Sequence, residues 1–290
     1  MIELLVATAL LLLVSGLVTS ALLQVTRTQT TIWNRTEMHS GVRGATELLQ
    51  QEVGQAGRVT LPSGMSLTGA VAAVLAQAGV TATSSMFVGE QLIIDTGDKE
   101  ETVTVTAVDT ASNQITATFV NAHNAGAPVT VAGGFANGIV PPDMANGSTE
   151  NVLKLFGDIN GDGNMVYVEY TCDTAVHSLY RNMVAWNAAA KPALTPSQVL
   201  LGNIIANPNG TPCFTYQTQV VGANTYVTDV AITLTVQTQQ VDPVTKQYQT
   251  ETKALLNVSP RNVFNAWELA SIGLTNRIQP TPAAVQQLLP

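Results

Sequence analysis

The sequence predicts an α+β fold, in which a long N-terminal α-helix packs on an antiparallel β-sheet domain that carries a small inserted β-module. Two patterns in the sequence predict this fold. The chain opens on an uncharged apolar stretch that leads into a helical apolar stripe. Several later segments alternate in the two-residue period of half-buried strands, and Gly-, Asp- and Asn-rich turns separate them. We expect four parts: the helix at 1–57, the module at 58–141, the main sheet at 142–262 and a tail at 263–290.

The first half of the helix predicts a membrane segment. The run from Leu4 to Leu23 has no charged residue, and twenty residues of helix span about 30 Å, the thickness of a bilayer's hydrocarbon core. A cleavable signal peptide is the alternative interpretation. Against it, the run lacks a basic leading region, exceeds the usual 7–15 apolar residues, and begins at an acid, Glu3. A carboxylate that enters a bilayer normally marks a partner or a function.

The second half of the helix is amphipathic. Its apolar residues recur at steps of three and four, which is the helical period, and Gly57 follows the last of them as a stop signal. The stripe consists of Met38, Val42, Ala45, Leu49, Val53 and Ala56. The charged residues are expected on the other faces of the helix: Arg35, Glu37, Arg43, Glu47 and Glu52.

The inserted module is predicted as a short helix followed by strands. The Ala-rich run 70–79 favours the helix, and the strands are expected at 86–95, 100–109, 114–120 and 127–132. Thr102 to Ala107 shows the alternation most clearly. The module is interpreted as a bulky spacer or, alternatively, as a lectin-like or partner-binding surface.

The main sheet is predicted from six further segments. They cover 151–157, 165–173, 178–186, 213–220, 227–240 and 249–258. In the tail we expect a short helix at 264–269 and then a mobile Pro-rich end.

The start of the chain resembles a known family. Met1-Ile2-Glu3-Leu4-Leu5-Val6-Ala7 is similar to the N-terminal motif of the type IV pilin and pseudopilin superfamily. The stretch GATELLQQEVGQAGRV at 44–59 resembles the same helix in PilW-type minor pilins. The order of motifs from about 150 to 262 resembles PilW-type minor pilins and the J-type minor pseudopilins of type II secretion. It is carried by Val166 to Tyr170, Leu179 to Arg181, Asp229 to Val236, and Arg261-Asn262.

The resemblance implies a structural subunit of a type IV pilus or related filament, with an antiparallel pilin head. The alternatives are a minor pseudopilin and a tip adhesin that uses the inserted module. In the family, the glutamate is the fifth residue of the mature chain, after a leader that a prepilin peptidase removes. Here Glu3 is third, so we expect either that the sequence begins two residues inside the mature chain or that its start was assigned late.

The family also implies partners and a role for Glu3. The helices bundle in the filament core, where an unpaired carboxylate would cost several kcal/mol. The implied partner of Glu3 is the N-terminal amine of the neighbouring subunit, and the pair sets the register. Further implied partners are other pilin subunits, the inner-membrane assembly platform and, before assembly, the bacterial inner membrane, with the head extracytoplasmic.

One loop matches a calcium-binding pattern. Asp158, Asn160, Asp162 and Asn164 follow the spacing D-x-[DN]-x-[DN]-G, and Glu169 falls at the twelfth position. The alternative is a hairpin loop whose side chains cap their own backbone without metal. Calcium is the only cofactor that the sequence predicts.

The remaining composition bears on the function class. Two cysteines, Cys172 and Cys213, predict one disulfide in an exported protein, or two unrelated thiols in a cytosolic one. The three histidines stand in no zinc or nucleophile motif, so we expect no enzyme. A net charge of −8 with only 12 basic residues argues against nucleic acid as a partner.

Overall fold

The computed structural model describes residues 1–290, and its first element is one continuous helix. Helix α1 runs over Ile2–Gln55. Gly57, at φ +79°, turns the chain away just past its end, and a Cβ there would lie 2.8 Å from Val263 Cγ2. Such a left-handed turn at a crowded position favours glycine. By length and composition α1 can cross a membrane, and no side chain in its most apolar window is buried within the chain.

Two shorter helices and sixteen strands follow α1. The helices are α2 Arg261–Ser271 and α3 Ala283–Leu288. The strands of the module are β1 Leu75–Gly79, β2 Gln91–Ile94, β3 Glu101–Thr104, β4 Ala107–Asp109, β5 Gln114–Thr118 and β6 Val129–Val131. The other strands are β7 Gly134–Phe135, β8 Val152–Gly157, β9 Val166–Asp173, β10 Ser178–Ala185, β11 Val199–Gly202, β12 Ile204–Ile205, β13 Phe214–Val221, β14 Asn224–Gln237, β15 Thr250–Val258 and β16 Ile278–Gln279.

The inserted module consists of two three-stranded antiparallel sheets, ordered β1-β5-β4 and β3-β2-β6. Its apolar side chains form a cluster of 15 buried residues that lie between Met65 and Val129. The helix predicted at 70–79 is wrong, because residues Leu75 to Gly79 pair with Gln114 to Thr118 as strand β1. Pairing with β5 outweighs the helix propensity of the alanines, as tertiary contacts often do.

The main domain has two antiparallel sheets. The first has the order β11-β10-β9-β8. In the second, β13 and then β12 pair with successive parts of β14, and β15 pairs with β14 along its other edge. The distal half of α1 packs on both sheets, and all six residues of its apolar stripe are buried in one cluster of 24 residues. The long N-terminal helix and the separate antiparallel domain predicted from sequence are therefore confirmed.

The tail corrects a prediction. Helix α2 lies where a short helix was expected, but the segment after it is packed and not mobile. Strand β16 pairs in parallel with β7, and Val285, Leu288 and Leu289 of the last turn are at most 3% exposed. They fill the face of the first sheet that points away from α1, beside Phe156 and Tyr167. Apolar burial thus holds a segment whose prolines had indicated disorder.

Candidate functional site

The proximal half of α1 is an exposed apolar surface that ends at a single acid. Leu4, Leu10, Leu13 and Leu17 are each more than half exposed. Glu3 lies in the first turn of the helix, where the positive end of the helix dipole favours a carboxylate. Within the single chain Glu3 makes no ion pair or hydrogen bond, so its carboxylate is free for a partner outside the chain.

The distal half of α1 is fixed to the first sheet by a buried ion pair. Glu52 is 4% exposed, and its carboxylate accepts hydrogen bonds from Arg181 Nη2 at 2.5 Å and Nε at 3.1 Å. The Tyr170 hydroxyl donates a third at 2.5 Å. Arg181 and Tyr170 are register partners on β10 and β9. The expectation that Glu52 lies on an outer face is therefore wrong, because the sheet supplies the donors that make its burial possible.

The electrostatics of this ion pair support a charged and ordered contact. Burial alone would lower the pKa of Arg181, but the hydrogen bonds and the negative charge of Glu52 raise the pKa above its ordinary value. Burial and the same carboxylate raise the pKa of the Tyr170 hydroxyl, which keeps it a donor. Glu52 therefore helps to fix the orientation of α1 relative to the main domain, called the head below.

A disulfide ties the two sheets together. Cys172 on β9 and Cys213, which directly precedes β13, are bonded to each other, and no free cysteine remains. Both residues lie in the same buried cluster as the stripe of α1. The bond therefore links the two sheets within the core on which the helix packs.

The predicted calcium loop is a capped turn between β8 and β9. The Asp158 carboxylate accepts the N–H groups of Asp162 at 3.0 Å and Gly163 at 3.4 Å, and Arg58 Nε lies 3.5 Å from it. Asp162 Oδ1 accepts the N–H of Asn164. Asn160 lines an open groove between this loop and α1. Calcium binding by the loop stays a prediction of the sequence.

Glu169 is not brought to this loop. It lies three residues inside β9, where its carboxylate accepts hydrogen bonds from Lys191 Nζ at 2.7 Å and the Tyr167 hydroxyl at 2.8 Å. Lys154 Nζ, 3.8 Å from Glu169, donates to the Leu289 carbonyl at 2.5 Å. The prediction of Glu169 as the closing calcium ligand is corrected by these contacts. Alternation along the strand turns its side chain toward the docked tail.

The histidines are structural in their contacts. His123 is 1% exposed, and its two ring nitrogens contact Asp95 at 3.1 Å and Glu101 at 2.6 Å. His39 pairs with Glu251, and His177 Nδ1 lies 2.9 Å from the Ile204 carbonyl. No group of three or more His, Cys, Asp or Glu side chains is placed to hold a metal ion.

A buried acid that the sequence did not reveal lies where the module meets the main domain. Glu90 is 0% exposed. Its Oε2 accepts the Phe87 N–H at 3.3 Å, and its Oε1 has no hydrogen-bond partner. Burial raises the pKa of Glu90 to about 8. The carboxyl is therefore protonated in the folded chain at neutral pH.

We expect Glu90→Gln to stabilise the chain in base and not in acid. Between the ordinary value of 4.5 and about 8, the folded state holds a proton that the unfolded state lacks, so wild-type stability falls as the pH rises. This linkage amounts to about 5 kcal/mol at pH 9, and an amide without partners reduces the gain to roughly 2 kcal/mol. Unfolding of the full chain in detergent at pH 4 and pH 9 measures the difference in free energy of unfolding between Glu90→Gln and wild type. The exposed Glu150→Gln is the control, and equal stability of Glu90→Gln and wild type at pH 9 would contradict a buried neutral acid.

Comparison of the chain with protein-family models, curated proteins and solved structures finds no match.

Proposed function

We propose that this chain is a membrane-anchored subunit of a type IV pilin-like filament, in which its role is assembly and not turnover. One observation carries the proposal: the single continuous helix α1 has one buried half and one exposed half. The distal half of α1 is buried against the head through its stripe and Glu52. The proximal half exposes apolar side chains all round. A surface of this kind requires a bilayer or other apolar helices.

The lone acid at the start of this surface supports a polymer over a plain anchor. In a bilayer alone, Glu3 would lie at the interface and need no partner. In a bundle of helices it is removed from water, where an unpaired carboxylate costs several kcal/mol. A cationic group of the next subunit, such as its N-terminal amine, removes that cost. The pair then favours one register of each incoming subunit over slipped ones.

The rigid contact between α1 and the head supports the same function. Insertion of the apolar half into a filament core places the head at a fixed height and rotation only if the helix cannot swing. Arg181, Tyr170 and the stripe fix it. The head, the module and the tail then present a constant outer surface.

Glu3→Ala tests the proposal. The variant is expressed in cells that also make its sister subunits, and filaments are sheared from the cells. We expect the share of the chain that is found in these filaments to fall roughly tenfold or more, since each 1.4 kcal/mol of lost pairing energy is a factor of ten. The amount of chain in the membrane fraction should not change, because the helix keeps its apolar length.

Glu37→Ala is the matched control, because Glu37 is an exposed acid of the same helix and makes no ion pair. Glu37→Ala should not change the share of the chain that is found in sheared filaments. Equal incorporation of Glu3→Ala and Glu37→Ala would refute a role of Glu3 in assembly.

A further inference from the structure

The hairpin between β14 and β15 reaches along α1 toward its apolar half. Glu251, near the start of β15, pairs with His39 of the helix. Gln249 Oε1, two residues earlier, accepts a hydrogen bond from Arg35 Nε, one turn of α1 nearer the N-terminus. Beyond them lies the hairpin tip, residues 241–248. Its residues Pro243, Val244 and Lys246 line a groove whose other wall is α1 from Leu12 to Thr28.

The position of the hairpin tip coincides with the expected membrane boundary. The apolar run of α1 ends at Leu23, the polar residue Gln24 follows, and Arg27 is the first charged residue after it. The groove beside the tip is bordered by Gln24, Arg27 and Thr28 and by the part of the apolar run from Leu12 to Leu23. If α1 spans a bilayer, the tip therefore lies in the headgroup region. We propose that the hairpin tip is a second membrane contact, which inserts at the boundary between lipid headgroups and acyl chains.

The surface chemistry of the tip fits that occupant. Val241, Val244 and Tyr248 are 41%, 65% and 49% exposed, so the outer surface of the tip carries three apolar or amphipathic side chains within eight residues. Tyrosine is enriched at membrane interfaces, because its ring is apolar and its hydroxyl is polar. Lys246 is exposed beside them and has a long apolar stem with a charge that reaches lipid phosphate. Arg27 of α1 adds a second cation at the same level.

The one acid of the tip is turned inward. Asp242 is 3% exposed, and its carboxylate accepts the N–H groups of Val244 at 2.7 Å and Thr245 at 2.8 Å and the Gln249 side-chain amide at 2.6 Å. The hydrogen bonds from the backbone N–H groups of Thr245 and Val244 lower the pKa of Asp242. The carboxylate thus shapes the loop from inside, and the outer surface of the tip carries apolar groups and a cation. A preorganised tip loses little conformational freedom on insertion.

The inference rests on the proposed function, since it requires α1 to span the membrane. What it adds is a second contact between the chain and the bilayer. A spanning helix alone is free to rotate about its axis and to slide in depth. A second contact, displaced from the axis and joined rigidly to the head, fixes both before assembly. Before assembly, the subunit would then hold its head at a fixed orientation to the membrane and Glu3 at a fixed depth.

Depth-dependent fluorescence quenching tests the proposal. The full chain is labelled with a polarity-sensitive fluorophore through Val244→Cys and inserted, one copy per disc, into nanodiscs of phosphatidylcholine and phosphatidylglycerol. Both native cysteines are in the disulfide, so labelling without reductant is selective. Val220→Cys is the matched control, because Val220 is 68% exposed in the hairpin at the other end of β14. Fourteen residues of strand separate the two positions by about 46 Å.

At Val244 we expect a blue-shifted emission and at least a twofold loss of intensity with a spin label placed just below the headgroups. At Val220 we expect no response to that lipid and quenching by aqueous iodide instead. A tip label that behaves like the Val220 label would overturn the proposal. A blue shift that appears only when two copies share a disc would also overturn it, in favour of a contact between subunits.

A third label separates this inference from the proposed function. Val14→Cys lies within the apolar run of α1 and is 57% exposed, and a spin label near the bilayer centre should quench it. Quenching at Val14 without quenching at Val244 leaves the spanning helix in place and removes the tip contact. Absence of quenching at Val14 removes both.

Discussion

Arg181→Met is expected to lower the free energy of unfolding by about 3–5 kcal/mol, because it leaves the Glu52 carboxylate buried and without its cation. Methionine keeps much of the length and apolar volume of the arginine stem, so the loss reports the charge and its hydrogen bonds. Tyr170 alone cannot neutralise the carboxylate. Denaturant unfolding of the full chain in detergent, followed by tryptophan fluorescence, measures the change.

Two further variants sharpen this test. Arg43→Met removes an exposed pair with Glu47 on the same helix and should cost less than about 1 kcal/mol. The double variant Glu52→Gln/Arg181→Met should recover part of the loss, because no unpaired charge remains buried. An Arg181→Met variant no less stable than Arg43→Met would show that the ion pair does not fix α1 to the head.

Replacement of both Cys172 and Cys213 by alanine is expected to cost about 4 kcal/mol. The bond closes a loop with a sequence separation of 41 residues, and the chain-entropy estimate for that length gives about 4 kcal/mol. The loop contains β10, β11 and β12, which belong to both sheets of the folded domain. Without the bond, this whole segment gains conformational freedom in the unfolded chain. A melting curve of the full chain in detergent under non-reducing conditions compares the variant with wild type.

Reduction of the wild-type disulfide provides the control. Reduced wild type and the double alanine variant should melt at similar temperatures, both well below oxidised wild type, while reductant should leave the variant unchanged. If oxidised wild type and the variant melt together, the disulfide adds nothing to the stability of the head.

The fold was predictable where periodicity carried the information. The stripe from Met38 to Ala56 identified the buried face of α1, because a helix against a sheet must hide one stripe. The strands of the main sheet were predicted from alternation and turn residues. The run at 70–79 failed, since its alanines favour a helix locally and only the distant β5 makes it a strand.

The candidate site was only partly predictable. Glu3 stands out because a carboxylate that enters the bilayer with a long apolar run is costly and normally marks a partner or a function. Glu52 does not, because its burial depends on Arg181, which is 129 residues away along the chain. Glu90 and His123 have no local signal for the same reason. Glu169 shows the reverse error, in which spacing matched a ligand pattern but the strand turned the side chain to Lys191.

The proposed function requires that the apolar half of α1 packs against the same half of sister subunits. Incorporation of a photoreactive amino acid at Leu10, which is 58% exposed, measures this directly when filaments sheared from cells are irradiated. We expect an adduct between this chain and a sister subunit, with the cross-link inside the apolar helix of each, and its loss in the Glu3→Ala background. Adducts with lipid alone, or a chain that never enters the sheared fraction, would rule out packing of the apolar helices between subunits.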